Sequence, residues 1–414
     1  MKIGVHRRRL TAEPPRMHDA KGATETQATP SRWAGPVLLG VAVAAGATVA
    51  AAVPASAAPA HHSSRVVGHV YVNDNTAGTN TIGAFDRHAD GTLTRVPGSP
   101  FNAGGAGTGA GLASQGALQV SPGGRFLVAV DAGSNQVSVL RVNHDGTLRL
   151  VRDGVVSSGG VLPVSVTIHR DLVYVANAAA GGSNYTGYRL GSDGHLRSIP
   201  GSTVALPDDA QPGDVLFNRT GSKLVGTRVG TSQIDSFTVR ASGRLTAAPG
   251  SPFPAQGLGP FGSEFRPTDP AQLFVSNAHN AGVGTVSAFH DGANGTLSSI
   301  GSSPFTDNQT APCWVEISHD GRFLFTVNTA SGTVSRFEIT RGGTLTLLGS
   351  TPVKATGGVG ATDARLSSDG RYLYVDERVG AVGIFAVDRG NLTELTSSPT
   401  LLPAGATPAG IVAD

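Results

Sequence analysis

A unit of about 50 residues recurs seven times along this chain, and that periodicity limits the possible folds more than any single motif. An apolar strand closing on a polar residue ends at Asp74, Asp131, Asn177, Arg228, Asn277, Asn328 and Glu377, with spacings of 57, 46, 51, 49, 51 and 49. A second marker, a turn of the Asp-Gly-Thr-Leu type, ends at Leu93, Leu148, Leu196, Leu245, Leu297, Leu345 and Leu392, in the same phase. Inside one copy the pattern reads as four short strands. In the second copy, residues 116–121 lead through Pro122-Gly123-Gly124 to 125–131, then to Gln136–Val142, then through Asp145-Gly146 to 147–151. Asp-Gly between alternating apolar strands suits a two-residue hairpin turn, because glycine accepts the positive φ required there.

Such a sheet is too small to cover both of its faces, whereas seven around an axis cover one another. The predicted fold is therefore all-β, a seven-bladed β-propeller of four-stranded antiparallel blades over residues 66–414. Residues 66–74 match the second strand of a unit and residues 405–412 match a first strand, so a C-terminal strand is expected to join the N-terminal blade and close the ring. A linear solenoid, the alternative, needs capping repeats with polar outer faces, and the sequence shows none. Glycine (57) and proline (25) together make up about a fifth of the 414 residues, which this fold uses as turns.

Residues 1–57 are different material. Arg7, Arg8, Arg9, Arg16, Lys21 and Arg32 precede an uncharged run over 33–53, and Ala55-Ser56-Ala57 follows, the order of a secretory signal with cleavage after Ala57. A retained anchor with the propeller outside the cytoplasm is the alternative, since about 20 apolar residues can span a bilayer. The arginine triplet leaves the general and twin-arginine export routes both open, and a start at Met17 would remove it. Residues 58–65 read as a flexible linker. The leader carries seven basic and three acidic residues of the chain's 31 and 29, leaving 24 and 26 in the exported part. That near-balance offers no footprint for nucleic acid. The expected product is a secreted monomer, off the membrane after cleavage, whose partner is a small molecule or an extracellular protein.

Strand ends such as Tyr174-Val175-Ala176-Asn177, the Asp-Gly-Thr-Leu turns, and Gly-Ser-Pro-Phe segments at 98–101 and 250–253 resemble the seven-bladed lactonase family. That family includes propeller-type 6-phosphogluconolactonases and carboxymuconate-lactonising cyclases. The resemblance implies the propeller fold over nearly all of residues 66–414, and it implies a lactone as substrate class. The family's catalytic positions are not kept. Where members usually show Pro-His before an early blade, this chain has Gly116, within Ser114-Gln115-Gly116-Ala117. Gly-Pro-Arg-His becomes Gly259-Pro260-Phe261-Gly262, Asn-Glu-Leu becomes Asn277-Ala278-His279, and Ser-Asn-Arg becomes Val327-Asn328-Thr329. Opening a lactone needs a base for water and donors for the oxyanion, which Gly116, Phe261, Gly262, Ala278 and Thr329 largely do not supply.

Other residues are candidates by position. Aligned on their turns, the first strands place Gln119, Leu216, Glu264, Glu316 and Arg365 at one parity, so Glu264, Glu316 and Arg365 are expected to share the axial channel. With Asp214 they form the catalytic candidates, the alternative being channel polarity built around an ion pair. Strand starts and the loops after second strands collect Gln115, Asp131, Gln211, Arg228, His279, Trp314, Asp363, Glu377 and Arg378 at the mouth, as ligand-binding candidates. Trp314 suits either stacking on a ligand or packing near the axis. Cys313, the one cysteine, excludes an internal disulfide and reads as a small buried hydrophobe. The ten histidines after the leader are scattered, so no metal and no cofactor is expected. Three functions follow as expectations: an exported ligand- or protein-binding scaffold without standard phosphogluconolactonase activity; a lactonase or cycloisomerase using non-standard mouth residues; and a cell-surface interaction protein using the outer rim.

Overall fold

In the computed structural model, residues 64–278, 282–353 and 360–414 are described; the leader, most of the linker and His279 lie outside them. Seven antiparallel sheets follow one another along the chain. Their first strands are Ile411–Ala413 (blade 1), Leu118–Val120 (blade 2), Pro163–His169 (blade 3), Pro212–Phe217 (blade 4), Pro260–Arg266 (blade 5), Pro312–Ile317 (blade 6) and Ala361–Leu366 (blade 7). Each first strand touches the next one round, in a closed cycle. The propeller expected from the repeat is the observed fold, and the solenoid is excluded by that closure.

Closure is made as the ends of the chain predict. Ile411–Ala413 pairs antiparallel with Val66–Asn73, placing Val70 opposite Ala413, Tyr71 opposite Val412 and Val72 opposite Ile411. Arg87, 2% exposed, fastens the seam: its Nε donates to the Asp414 carbonyl at 2.8 Å, its Nη2 to Ser368 Oγ at 3.3 Å, and its Nη1 lies 3.6 Å from Asp369.

Strand alternation explains the core. Successive side chains point to opposite faces, so Val70 and Val72 pack toward blade 7 while Tyr71 packs toward blade 2. The buried apolar residues fall into seven clusters, one for each gap between neighbouring blades. The outer strand departs from the four-strand reading. In five blades it splits in two, as at Leu93–Arg95 and Phe101–Asn102, and both pieces pair with the third strand. The Gly-Ser-Pro-Phe segments at 98–101 and 250–253, and Ser-Ser-Pro-Phe at 302–305, mark the split, where Ser99, Ser251 and Ser303 accept the backbone N–H of Ala84, Ser236 and Ala288 at 2.8, 3.0 and 2.7 Å.

Candidate functional site

The first strands bring five ionisable groups together on the axis. Asp214, on blade 4, is 2% exposed and accepts from Ser263 N at 3.0 Å, Ser263 Oγ at 2.5 Å and Ser165 Oγ at 3.2 Å. Burial pushes its carboxyl up to about 7, against the pull of those donors. Asp363, on blade 7, accepts from Gly116 N at 3.2 Å and Ala364 N at 2.8 Å, and burial lifts it to about 6. Glu316 accepts from Arg365 Nη1 at 3.1 Å and from Leu366 N at 3.0 Å. Its carboxyl is raised by burial, with Arg365 working the other way. Glu264, partly exposed, is lifted to about 8, first by burial and then by the charge of Glu316. Burial opposes the charge of Arg365, but Glu316, Asp363 and Glu264 outweigh it and hold the guanidinium ionised.

This cluster is roofed by the chain itself. Residues 113–116, which lead into blade 2, cross the mouth and bond to five other blades. Gln115 N donates to Gly213 O at 2.9 Å on blade 4, and Val166 N of blade 3 donates to Gly116 O at 2.9 Å. The Gln115 side chain reaches blades 5 and 6: Nε2 donates to Ser263 O at 3.0 Å and Val315 O at 3.3 Å, while Oε1 accepts from Val315 N at 3.0 Å. Trp314 Nε1 donates to Ser114 O at 2.5 Å, and Gly116 N reaches Asp363 on blade 7. Gly262 makes room for this crossing, since a Cβ there would stand 2.0 Å from Gln115 Oε1. Gly116 itself holds a φ of +78°, which a side chain would resist.

The axis therefore gathers Gln115, Asp214, Glu264, Trp314, Glu316, Asp363 and Arg365 from the residues singled out in the sequence. Trp314 is 2% exposed and packs edge-on against Phe261, with ring centroids 5.4 Å apart. Three others sit in the blade walls. Asp131, fully buried, accepts from Asn80 Nδ2 at 2.9 Å and from Ser138 Oγ. Arg228 makes a bidentate pair with Asp235 at 2.6 and 2.7 Å. Glu377 is buried with neither carboxyl oxygen hydrogen-bonded among the described residues, and burial lifts it to about 7. Arg378 lies against Gly111, where a Cβ would come 2.7 Å from its Nε. Gln211 lines a groove on the mouth face, and His279 is outside the described residues. Cys313 is buried among Phe261, Trp314 and their neighbours, and burial pushes its thiol up to about 11. Among the described residues, no three His, Cys, Asp or Glu side chains are arranged to hold a metal ion.

Sequence reasoning missed Ser165 and Ser263, the partners of Asp214, because a serine in a strand carries no signal of its own. It also missed the roof. A signal was present there, since the spacing from Asp74 to Asp131 is 57 residues where the other copies need 46 to 51. The surplus is the long connection over residues 103–117.

Comparison with known proteins agrees with the fold. The family described as "Lactonase, 7-bladed beta-propeller" matches residues 68–207 and 265–355. No curated protein sequence matches the chain. Among solved structures, a putative 6-phosphogluconolactonase from Bacteroides uniformis superimposes with a TM-score of 0.68 at 18% identity, covering 84% of this chain and 99% of its own. One from Bacteroides fragilis gives 0.64 at 21% identity, with 83% and 97% covered. A periplasmic gluconolactonase from Pseudomonas aeruginosa gives 0.65 at 18%, with 83% and 98% covered. At these identities the structures speak for the fold alone. The family match spans more than half of the chain, and the protein belongs to the seven-bladed β-propeller lactonase family.

Proposed function

We propose that this protein is an exported, ligand-binding member of its family that does not open lactones by the family's usual chemistry. The observation that carries this reading is the crossing of residues 113–116, which fills the mouth above Asp214 and Asp363 with the chain's own backbone and the Gln115 amide. Gly116, Phe261, Gly262, Ala278 and Thr329 stand at the positions that the resemblance to the family implies for proton-transferring or anion-binding residues. The test is hydrolysis of glucono-δ-lactone, 6-phosphogluconolactone, dihydrocoumarin and an N-acyl homoserine lactone. Rates equal to buffer are expected. Turnover that disappears in a folded Asp214→Asn, Glu264→Gln or Arg365→Met variant would overturn the proposal.

One observation favours a second reading, a lactonase or cycloisomerase. The carboxyls of Asp214, Glu264 and Asp363 are lifted to about 7, 8 and 6, the range in which an acid exchanges protons at neutral pH. With the mouth roofed, its substrate would have to arrive from the opposite face of the ring. The same assays decide between the two.

A further inference from the structure

The connection that roofs the axis also walls a second space. Its residues 108–113 form one side of an off-axis groove of about 480 Å³ on the mouth face, between blades 3 and 4. Leu112, Leu162, Val164 and Val229 line it, and the small-residue turn over 178–180 leaves it open above. That volume lies within the range of small-molecule sites, which are mostly apolar with a few placed polar groups. Here the polar groups are few and of one sign. Asp208 and Gln211 are exposed on the rim, and among the described residues no Lys, Arg or His lines the groove. Asp208 Oδ1 accepts from Gly181 N at 2.8 Å, so the carboxylate is fixed against the turn. Asp209, next in the chain and also exposed, adds a second negative charge. Of the arginines nearest the groove, Arg228 is paired with Asp235, and Arg378 lies against Gly111 without being one of the lining residues.

From this we infer that the groove binds a small amphiphile with a hydrocarbon body and a protonated amine, the amine paired with Asp208 and the body on Leu112, Leu162, Val164 and Val229. Charge complementarity selects the head group, because Asp208 is the one charged side chain among the described lining residues and would repel an anion such as a sugar phosphate or sugar acid. The inference rests on the ligand-binding reading and names where that ligand sits. It also gives the long connection two consequences, closing the axial site and building another beside it.

The test is calorimetric titration of the full chain with hexylamine, hexanol and hexanoate, three probes sharing one body and differing in head charge. Hexylamine is expected to bind at least fivefold more tightly than hexanoate, with hexanol between them. Asp208→Asn keeps the acceptor for Gly181 N and removes the charge, so it should bring hexylamine to the level of hexanol. Ala179→Trp fills the groove and should abolish binding of all three. If that variant fails to fold by circular dichroism, Ala180→Trp at the exposed lip serves instead. Hexanoate binding as tightly as hexylamine, an Asp208→Asn chain that keeps the preference, or a filled groove that still binds would each overturn the assignment. Hydrolysis of a lactone by a chain that also binds hexylamine in this way would overturn the roofed-axis reading and leave the groove standing.

Discussion

A single absent methyl group decides what occupies the axis. Gly262 lies under Gln115, and the amide completes the hydrogen bonding of Val315 and Ser263 only because nothing projects from that α-carbon. Gly262→Ala should therefore cost about 2 kcal/mol in urea denaturation, through overpacking and displaced hydrogen bonds. The loss should largely vanish in a Gln115→Gly background, where there is nothing left to displace. Additive losses in the double variant would show that the two residues do not meet. Strand position placed Gln115 at the mouth as a ligand-binding candidate, but the sequence does not show that its amide fills that mouth or that Gly262, within the strand Pro260–Arg266, is small to admit it. Glu264, Glu316 and Arg365 were legible because strand parity fixes which side chains face the axis, and Asp214 because it stands at the entry of a first strand. Ser263 was not, since it has the opposite parity and reaches Asp214 through its own N–H and hydroxyl.

Within a blade, the polar residue that ends the second strand ties the hairpin together. Asn328 Nδ2 donates to Ser335 Oγ at 2.8 Å, Asn277 Nδ2 to Ser287 Oγ at 2.8 Å, and Arg228 pairs with Asp235. Sequence position placed Asp131, Arg228 and Glu377 at the mouth because it fixes where a strand ends but not which way the last side chain turns. One residue earlier, the second strands carry a tie to the next blade. Thr227 Oγ1 donates to Phe261 O at 2.6 Å, and Ser276 Oγ to Cys313 O at 3.0 Å. Blade 7 has Asp376 at this position, fully buried, its pKa raised well above the ordinary value by burial and then by Asp363 and Asp74. A carboxyl whose folded pKa exceeds its unfolded value of about 3.9 gives stability that is complete below that value and is lost as pH rises toward the folded one. Asp376→Ser should thus stabilise the protein by about 1 kcal/mol at pH 8, with the gain shrinking toward pH 4. Paired urea titrations of variant and parent at the two pH values isolate this group from the other axial acids. A gain that grows in acid would refute the account.

At the scale of the molecule, seven sheets that would each be unstable alone are held by seven apolar gaps, and the seam between blades 7 and 1 is the one made by chain segments far apart in sequence. Three residue pairs join Ile411–Ala413 to Val66–Asn73, flanking backbone bonds such as Asn73 N to Gly410 O and Asp414 N to His69 O extend the ladder, and the Arg87 clasp adds side-chain ties across the seam. Arg87→Ala should cost about 2 kcal/mol, since it strands the Asp414 carbonyl and unfastens Ser368 and Asp369. Arg87→Lys should recover only part of this, because an ammonium cannot reproduce the fork of the guanidinium. Equal stability of the alanine variant and the parent in guanidinium unfolding would remove the clasp from the account of closure. The ring was legible in the sequence from its period and the phase of its two ends. The clasp was not, since an arginine in a third strand has no partner until the chain comes full circle.

The crossing over residues 113–116 has a consequence for how such a ring comes apart. Repeat proteins in which each unit touches only its neighbours behave like one-dimensional arrays, able to fray or melt unit by unit. Here one short segment is bonded to blades 3, 4, 5, 6 and 7 at once, with partners 148 and 200 residues away for the Gln115 side chain. Contacts of that span convert a circular array into a hub with spokes. Loss of any of those five blades then disturbs the centre shared by the others, so the repeats are expected to unfold as one cooperative unit rather than one by one.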